Sequence, residues 1–577
     1  MKDRVFYTLL ATVLLLSMAL TACQPAATAA PAEPTAAPEQ PTAALEQPTV
    51  AEEPTAAYEP MKVEAPDCNY ATGEVPAGLK SIEALDEYTV KFTLCNPDPA
   101  FASKVAFSVF SIQDKDYLDA NQGDSVKMSD EPNGTGPYKV TEWMRGDHIT
   151  YEANPDYWGE KAKVPTLIFR WSEQSAQRLL ELQSGTVDGI DNPAPEDFET
   201  IEGDSNLALY PRPALNIFYI GFNNTIAPFD NQQVRQAFSM AIDRQRIVDQ
   251  YYPKGSTVAN VFVPEALKPG WSDIAWYDYN PDEAKKTLED AGFDFTQTIT
   301  LSIRNVVRSY LPTPDKVAQE IQAQLAEIGV KVSINVMESA TFIDATSAGE
   351  EGFYLLGWNA DYPDATNFYD YHFATEANKQ FGTLYPDIVS EIKAAGQLTD
   401  AAERQTHYDK VNQLLKDYAV MIPVAHGGSA TAFKASVEGA HSSPLGNEYF
   451  AVMDNGTDQL VWMQNGEPAA LWCSDETDGE TLRACEQVYE ALLSYSIGGV
   501  EVEPGLAETW SANDDLTEWT FNLRQGVKFH NGASLDANDV VATYASYWDA
   551  SSPNHVGRTG TFEYFNTFFG AFLNAPQ

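Results

Sequence analysis

Near the end of the chain runs ETWSANDDLTEWTFNLRQGVKFHNG, residues 508–532, and it constrains the fold more than any other stretch. Trp519, Phe521 and Leu523 alternate with polar neighbours at the period of a half-buried strand. Asn513, Asp514 and Asp515 supply turn chemistry ahead of it. After Gly526 come Val527 and Phe529, then a second turn at Asn531-Gly532. This is a hairpin feeding a larger sheet, yet only 45 residues follow Gly532 in a chain of 577. The rest of its domain has to be sought elsewhere in the chain.

A chain of 577 residues is too long for one ordinary core, so two or three domains are expected. Acids outnumber bases 83 to 36, a net charge of −47. Nucleic acid and anionic headgroups should repel such a chain; halophily is a second source of the same charge.

The first 23 residues read as a processing signal. Lys2 and Arg4 precede the apolar run LLATVLLLSMAL, which is of signal-peptide length and short for a membrane span. It ends in LTAC, similar to a bacterial lipobox, which makes Cys23 the lipidated first residue; a plain secretory signal cut near Ala22 is the alternative. Residues 24–60 are rich in Ala, Pro, Thr and Glu and read as a flexible tether. Without Cys23 four cysteines remain, an even number in an exported chain, and the local pairs Cys68–Cys95 and Cys473–Cys485 close the shortest loops. A zinc site competes, but no His sits at ligand spacing near either pair.

From about Lys62 to Leu573 strand and helix signals alternate. EYTVKFTLC (87–95) alternates as a strand, and LNIFYIGFN (215–223) reads as a buried one. Residues 175–185 read as a helix ending at a glycine cap, and 228–252 as one helix with Asp230 or Asn231 at its N-cap. Residues 313–336 form a helix-to-strand unit, with Thr313 as cap and Pro314 at the first helical position. This layering is α/β, with ligands expected in a cleft. The polar break AVMDNGTDQ (451–459) separates what look like one domain's closing strands from another's opening strand.

Four stretches together resemble the family 5 bacterial extracellular solute-binding proteins, the peptide and nickel receptors of ABC importers. They are EPGLAETW…WTFNLRQGVKFHNGASLDANDVVATY, GTGPYKV…ANPDYWG, FNNTIAPFDNQQVRQAFSMAIDR and GWNADYPDATNF. The order differs from the family's. Residues 459–574 look like its beginning and 62–450 like its continuation, the arrangement of a circular permutation with 451–459 as the join. A gene-assembly artefact and strand exchange between protomers are rival explanations. The resemblance implies an α/β, periplasmic-binding-protein-like fold (type II, cluster C), two-lobed with an additional small domain and circularly permuted. The small domain would be 62–135 plus 500–577, lobe I 136–220 plus 425–500, and lobe II 221–424.

It also implies capture and delivery to permease subunits, with no reaction and no cofactor. The receptor would be a monomer, extracytoplasmic, and attached to the cell membrane only through its N-terminal lipid, on the periplasmic side or the outer surface. Peptide-type members hold the ligand's ammonium with an aspartate that maps onto Asp361. Trp358 would wall the pocket, and Arg308 in NVVRSYLPTPDK would fork the ligand's carboxylate. Asn359 and Tyr310 complete the implied ligand-binding set. NGTGPY (133–138) resembles the family's turn near the hinge, its glycines serving backbone geometry. Three alternatives stand beside a short peptide: an oligosaccharide stacked on aromatics, a nickel or metallophore ligand with only His372 near the motif, and a hydrolase using Asp361 and Asp364 as a carboxylate pair.

Overall fold

Hydrophobic alternation decides which strands find one another. In a computed structural model, which describes residues 58–70, 78–122, 124–304, 306, 308–374 and 378–575, strand Thr89–Leu94 buries every second residue, and so does strand Glu518–Leu523. The two pair antiparallel, Phe92 opposite Trp519 and Val90 opposite Phe521. The Phe92 and Phe521 rings meet edge-on, 5.6 Å apart. The five-stranded sheet runs Lys62–Glu64, Leu79–Asp86, Thr89–Leu94, Glu518–Leu523, Ala507–Ala512. The hairpin near the chain's end thus finds its partners near the start of the body.

Helix Ala537–Trp548 covers this sheet. Asp536 caps it, with Asp539 completing a reciprocal capping box. Cys68 is disulfide-bonded to Cys95, and Cys473 to Cys485. Cys23 and the tether up to Ala57 lie outside the described residues.

Two larger sheets make the rest. The seven-stranded sheet runs Tyr138–Met144, His148–Ala153, Thr166–Trp171, Gln459–Gln464, Gly189–Asp191, Ser429–Lys434, Leu207–Arg212. Strand Gln459–Gln464, just past the polar break, lies parallel between Thr166–Trp171 and Gly189–Asp191. The six-stranded sheet runs Thr257–Val258, Met421–His426, Asn216–Phe222, Phe353–Asn359, Thr298–Arg304, Lys331–Met337. Strand Asn216–Phe222 is buried along its whole length.

The chain passes between these two sheets at adjacent places. Arg212 pairs with Ser429 on one side. On the other, the Asn216 amide both donates to Gly427 O and accepts from Gly427 N, each at 2.7 Å. The crossings fall at 213–215 and 427–428. A strand bonded on both edges cannot change sheet until its ladder ends, and Asn216–Phe222 belongs wholly to the six-stranded sheet.

Two local expectations are corrected. The expected helix 228–252 is two helices, Gln232–Ala241 and Arg244–Tyr251. Asn231 caps the first; Asp243 accepts from Arg246 N and starts the second, which breaks the run. Thr313 stands before helix Pro314–Glu327 but makes no side-chain cap. Its hydroxyl is buried without a partner, and Pro314, with its fixed φ, begins the helix. The glycines of NGTGPY serve close backbone approach: a Cβ on Gly134 would lie 2.0 Å from Val488 O.

Candidate functional site

Strand Phe353–Asn359 lies inside the six-stranded sheet and delivers the motif GWNADYPDATNF to its C-terminal end. Gly357 is obligatory there, because a Cβ would lie 2.3 Å from the Tyr310 ring and 2.4 Å from Ile217 O. Past the strand's end, Asp361 turns its carboxylate toward a helix from the far end of the chain. Oδ2 accepts from Asn367 Nδ2 at 3.0 Å, and Oδ1 accepts from the Tyr564 hydroxyl at 3.2 Å. Tyr564 belongs to helix Glu563–Phe569. Burial pushes the Asp361 carboxyl up to about 6; Asn367 and Tyr564 oppose the shift and Glu563 adds to it. None of these is a cation. A carboxylate removed from water is costly unless it is paired.

Asn367 organises the corner. Its Oδ1 accepts from the Trp358 indole at 3.0 Å and from Asp361 N at 3.1 Å, while its Nδ2 holds the Asp361 carboxylate. Trp358 is half-buried and stacks on Tyr371, centroids 5.0 Å apart. A second contact joins the same corner to helix Glu563–Phe569: the Tyr362 ring meets Phe568 edge-on at 4.8 Å, and Lys104 Nζ lies 5.4 Å above it. Burial pushes Asp370, further along the motif's helix, up to about 7 against the pull of Lys104.

The structure brings Asp361 and Trp358 together through Asn367. Asn359 is exposed, and its Oδ1 accepts from Ser309 Oγ at 2.9 Å. That bond carries the 308–311 turn to the end of the motif strand. Arg308 is exposed and closes this turn by backbone pairing with Leu311. Tyr310 lies behind the strand instead: it is buried against Gly357, and its hydroxyl accepts from Arg304 at 2.9 Å.

Sequence reasoning missed Asn367 and Tyr564. Asn367 stands inside the motif, six residues from Asp361, and that spacing was its only signal; Tyr564 had none. Asp364, the second carboxylate of the hydrolase alternative, is gripped by Arg404 through bonds of 3.0 and 2.8 Å and held below the usual carboxylate range. His372 is enclosed by the Phe262, Trp358 and Tyr371 rings, shares a 2.7 Å bond with Phe368 O, and is pushed by burial down to about 3.

Two sheets joined by adjacent crossings, with Asp361 past the end of one strand and against a helix from the far end of the chain, make a two-part α/β body. The sequence matches the profile "Bacterial extracellular solute-binding proteins, family 5 Middle" over residues 46–380 and 501–563, and the chain belongs to this family. It is 28% identical over 382 residues to the dipeptide-binding protein of Escherichia coli K12, covering 65% of this chain and 71% of that protein. Among solved structures, HbpA2 from Haemophilus parasuis superposes with a TM-score of 0.61 at 32% identity, over 65% of this chain and 75% of that one. A dipeptide-binding protein from Pseudoalteromonas sp. SM9913, in complex with Met-Leu, superposes at 0.57 with 26% identity, over 67% of this chain and 77% of that one. The fold is the mixed α/β, two-lobe type II fold of these binding proteins.

Proposed function

We propose that this chain is the extracytoplasmic receptor of an ABC importer and captures short peptides in the cleft at Asp361. One observation carries the reading. Among the described residues the Asp361 carboxylate is desolvated and held by the neutral donors Asn367 and Tyr564, so a ligand's α-ammonium is the partner that completes it. Trp358, stacked on Tyr371, would wall the pocket, and Arg308, on the turn that Ser309 ties to Asn359, would meet the ligand's carboxylate. A sugar brings no cation to Asp361. Arg404 occupies both oxygens of Asp364, which leaves Asp364 tied up in an ion pair, and the receptor is read as binding and releasing without reaction. It works as a monomer, anchored through Cys23 at the end of its tether.

Calorimetry with free and N-acetylated dipeptides tests this. Tight binding of the free ligand and weak binding of the acetylated one is expected. Equal affinity, or turnover of either peptide, overturns the reading.

The same proposal includes the circular permutation. It is supported by the order of the family segments and by one sheet built from both ends of a single chain.

A further inference from the structure

We propose that Asp475 is a positioning residue for the ligand site, a role that rests on the peptide-binding reading above. Asp475 is 4% exposed, and its carboxylate gathers five donors from a loop more than eighty residues downstream. Oδ2 accepts from Thr559 N at 2.5 Å and Gly560 N at 2.7 Å. Oδ1 accepts from the Thr559 hydroxyl at 2.7 Å, Phe562 N at 2.8 Å and Thr561 N at 3.2 Å. Helix Glu563–Phe569 begins immediately after this loop. Its N-cap position, Phe562, has φ 42° and no side-chain cap. The helix start is therefore fixed by a carboxylate from a distant segment, where a neighbouring Ser or Asp commonly does the work.

The anchor is itself held. Glu476 grips Arg558 with bonds of 2.7 and 2.6 Å. Two residues before Asp475, Cys473 is disulfide-bonded to Cys485 at the end of helix Gly479–Cys485. The loop closes tightly over the acid, since a Cβ on Gly557 would lie 2.3 Å from Asp475 Oδ2. Tyr564 is the second residue of the helix so fixed, and its hydroxyl reaches Asp361 at 3.2 Å. Because the donors converge on one rigid carboxylate, the direction of the Tyr564 side chain is set by Asp475. Asp475 touches no ligand; it decides whether Asp361 is presented with its second donor.

The test compares wild type, Asp475→Asn, Thr559→Val and Tyr564→Phe. Calorimetry measures a free dipeptide and its N-acetyl derivative on each, with thermal unfolding recorded alongside. An asparagine keeps one acceptor oxygen and loses the other; Thr559→Val removes one of the five donors to Asp475, together with the hydroxyl's bonds to Thr561, and is the milder variant should Asp475→Asn fold poorly. The readout is the preference for free over acetylated ligand, which a general loosening does not change. Asp475→Asn should lose roughly tenfold of that preference, the scale of one hydrogen bond to a charged group. Thr559→Val should lose less in the same direction, and Asp475→Asn combined with Tyr564→Phe should lose no more than Tyr564→Phe alone. A preference retained in Asp475→Asn and Thr559→Val, with or without a lower melting temperature, overturns the role. Wild type that fails to discriminate the two ligands overturns the peptide reading itself and this inference with it.

Discussion

At the scale of single residues, the role proposed for Asp361 trades stability for affinity. Burial raises the Asp361 carboxyl from 3.8 to about 6, so the ligand-free folded protein holds this proton more tightly than the unfolded chain. Its contribution to stability is then present below the ordinary carboxylate value and is lost as pH rises through about 6. Asp361→Asn should therefore raise the ligand-free melting temperature at neutral pH, by at most about 3 kcal/mol in free energy. The same substitution should weaken free-peptide binding by about 3 kcal/mol or more, because it strands a buried ammonium. An unchanged affinity in calorimetry would rule out the pairing. Peptide affinity should also fall below pH 6 by about tenfold per unit, since the ammonium needs the ionised acid. Asn367→Asp puts a second carboxyl against Asp361 and should move that fall to higher pH, while Asn367→Leu should cost about 1–3 kcal/mol of binding through its lost hydrogen bonds. The pH profile of binding separates the two. The closeness of Asp361 and Trp358 follows from the motif that contains both; their part in binding is the proposal under test. Asn367 stood in the same motif unread, because an amide's three-way bonding shows only once the turn is folded. Tyr564 was invisible because no local pattern links positions about two hundred residues apart in the chain.

Among elements, the two crossings between the large sheets are where the proposed closure over a ligand would be absorbed. Gly427 lies in one of them, its backbone bonded by Asn216, and a Cβ there would lie 2.1 Å from Ser309 O. Ser309 in turn bonds Asn359 at the end of the motif strand. Gly427→Ala should push the 308–311 turn away from that strand, costing about 1–3 kcal/mol of stability and lowering peptide affinity. Thermal unfolding and calorimetry on the one variant check both, and normal values for both would mean the close approach is relieved elsewhere. Strand Thr89–Leu94 and strand Asn216–Phe222 were readable from alternation and from a continuous apolar run, since burial imposes those patterns directly. The break at Asp243 was not read, because an acid inside a helical pattern announces a new cap only if its side chain turns back to the next turn. The placement of Tyr310 behind the strand depends on Gly357 leaving room for its ring, a tertiary fact that spacing does not carry.

For the whole molecule, the positions of the two ends of the body make the proposed permutation testable. Met61 N bonds the Asn538 side chain near the start of helix Ala537–Trp548, and Leu573 N bonds Trp548 O at its finish. Twelve helical residues span about 18 Å, so a linker of roughly six to eight residues would reach from one end to the other. The loop 454–458 is turn-rich, with Gly456 at φ 73°, and becomes more exposed along its length. A rearranged chain, opened there and joined from Leu573 to Met61, should fold to the same body and bind the same ligands. Its stability should change little, because shortening the main loop closure from more than 400 positions to roughly a hundred is worth only about 1 kcal/mol. Its refolding should be faster, since the pairing of Phe92 with Trp519 becomes far more local and contact order governs rate more than equilibrium. Stopped-flow refolding and calorimetry on the two chains side by side decide the matter. A rearranged chain that does not fold, or folds without binding what the original binds, would sink the permutation. The permutation falls equally if the original chain builds its five-stranded sheet from two protomers, which sedimentation across a dilution series would reveal as a concentration-dependent dimer.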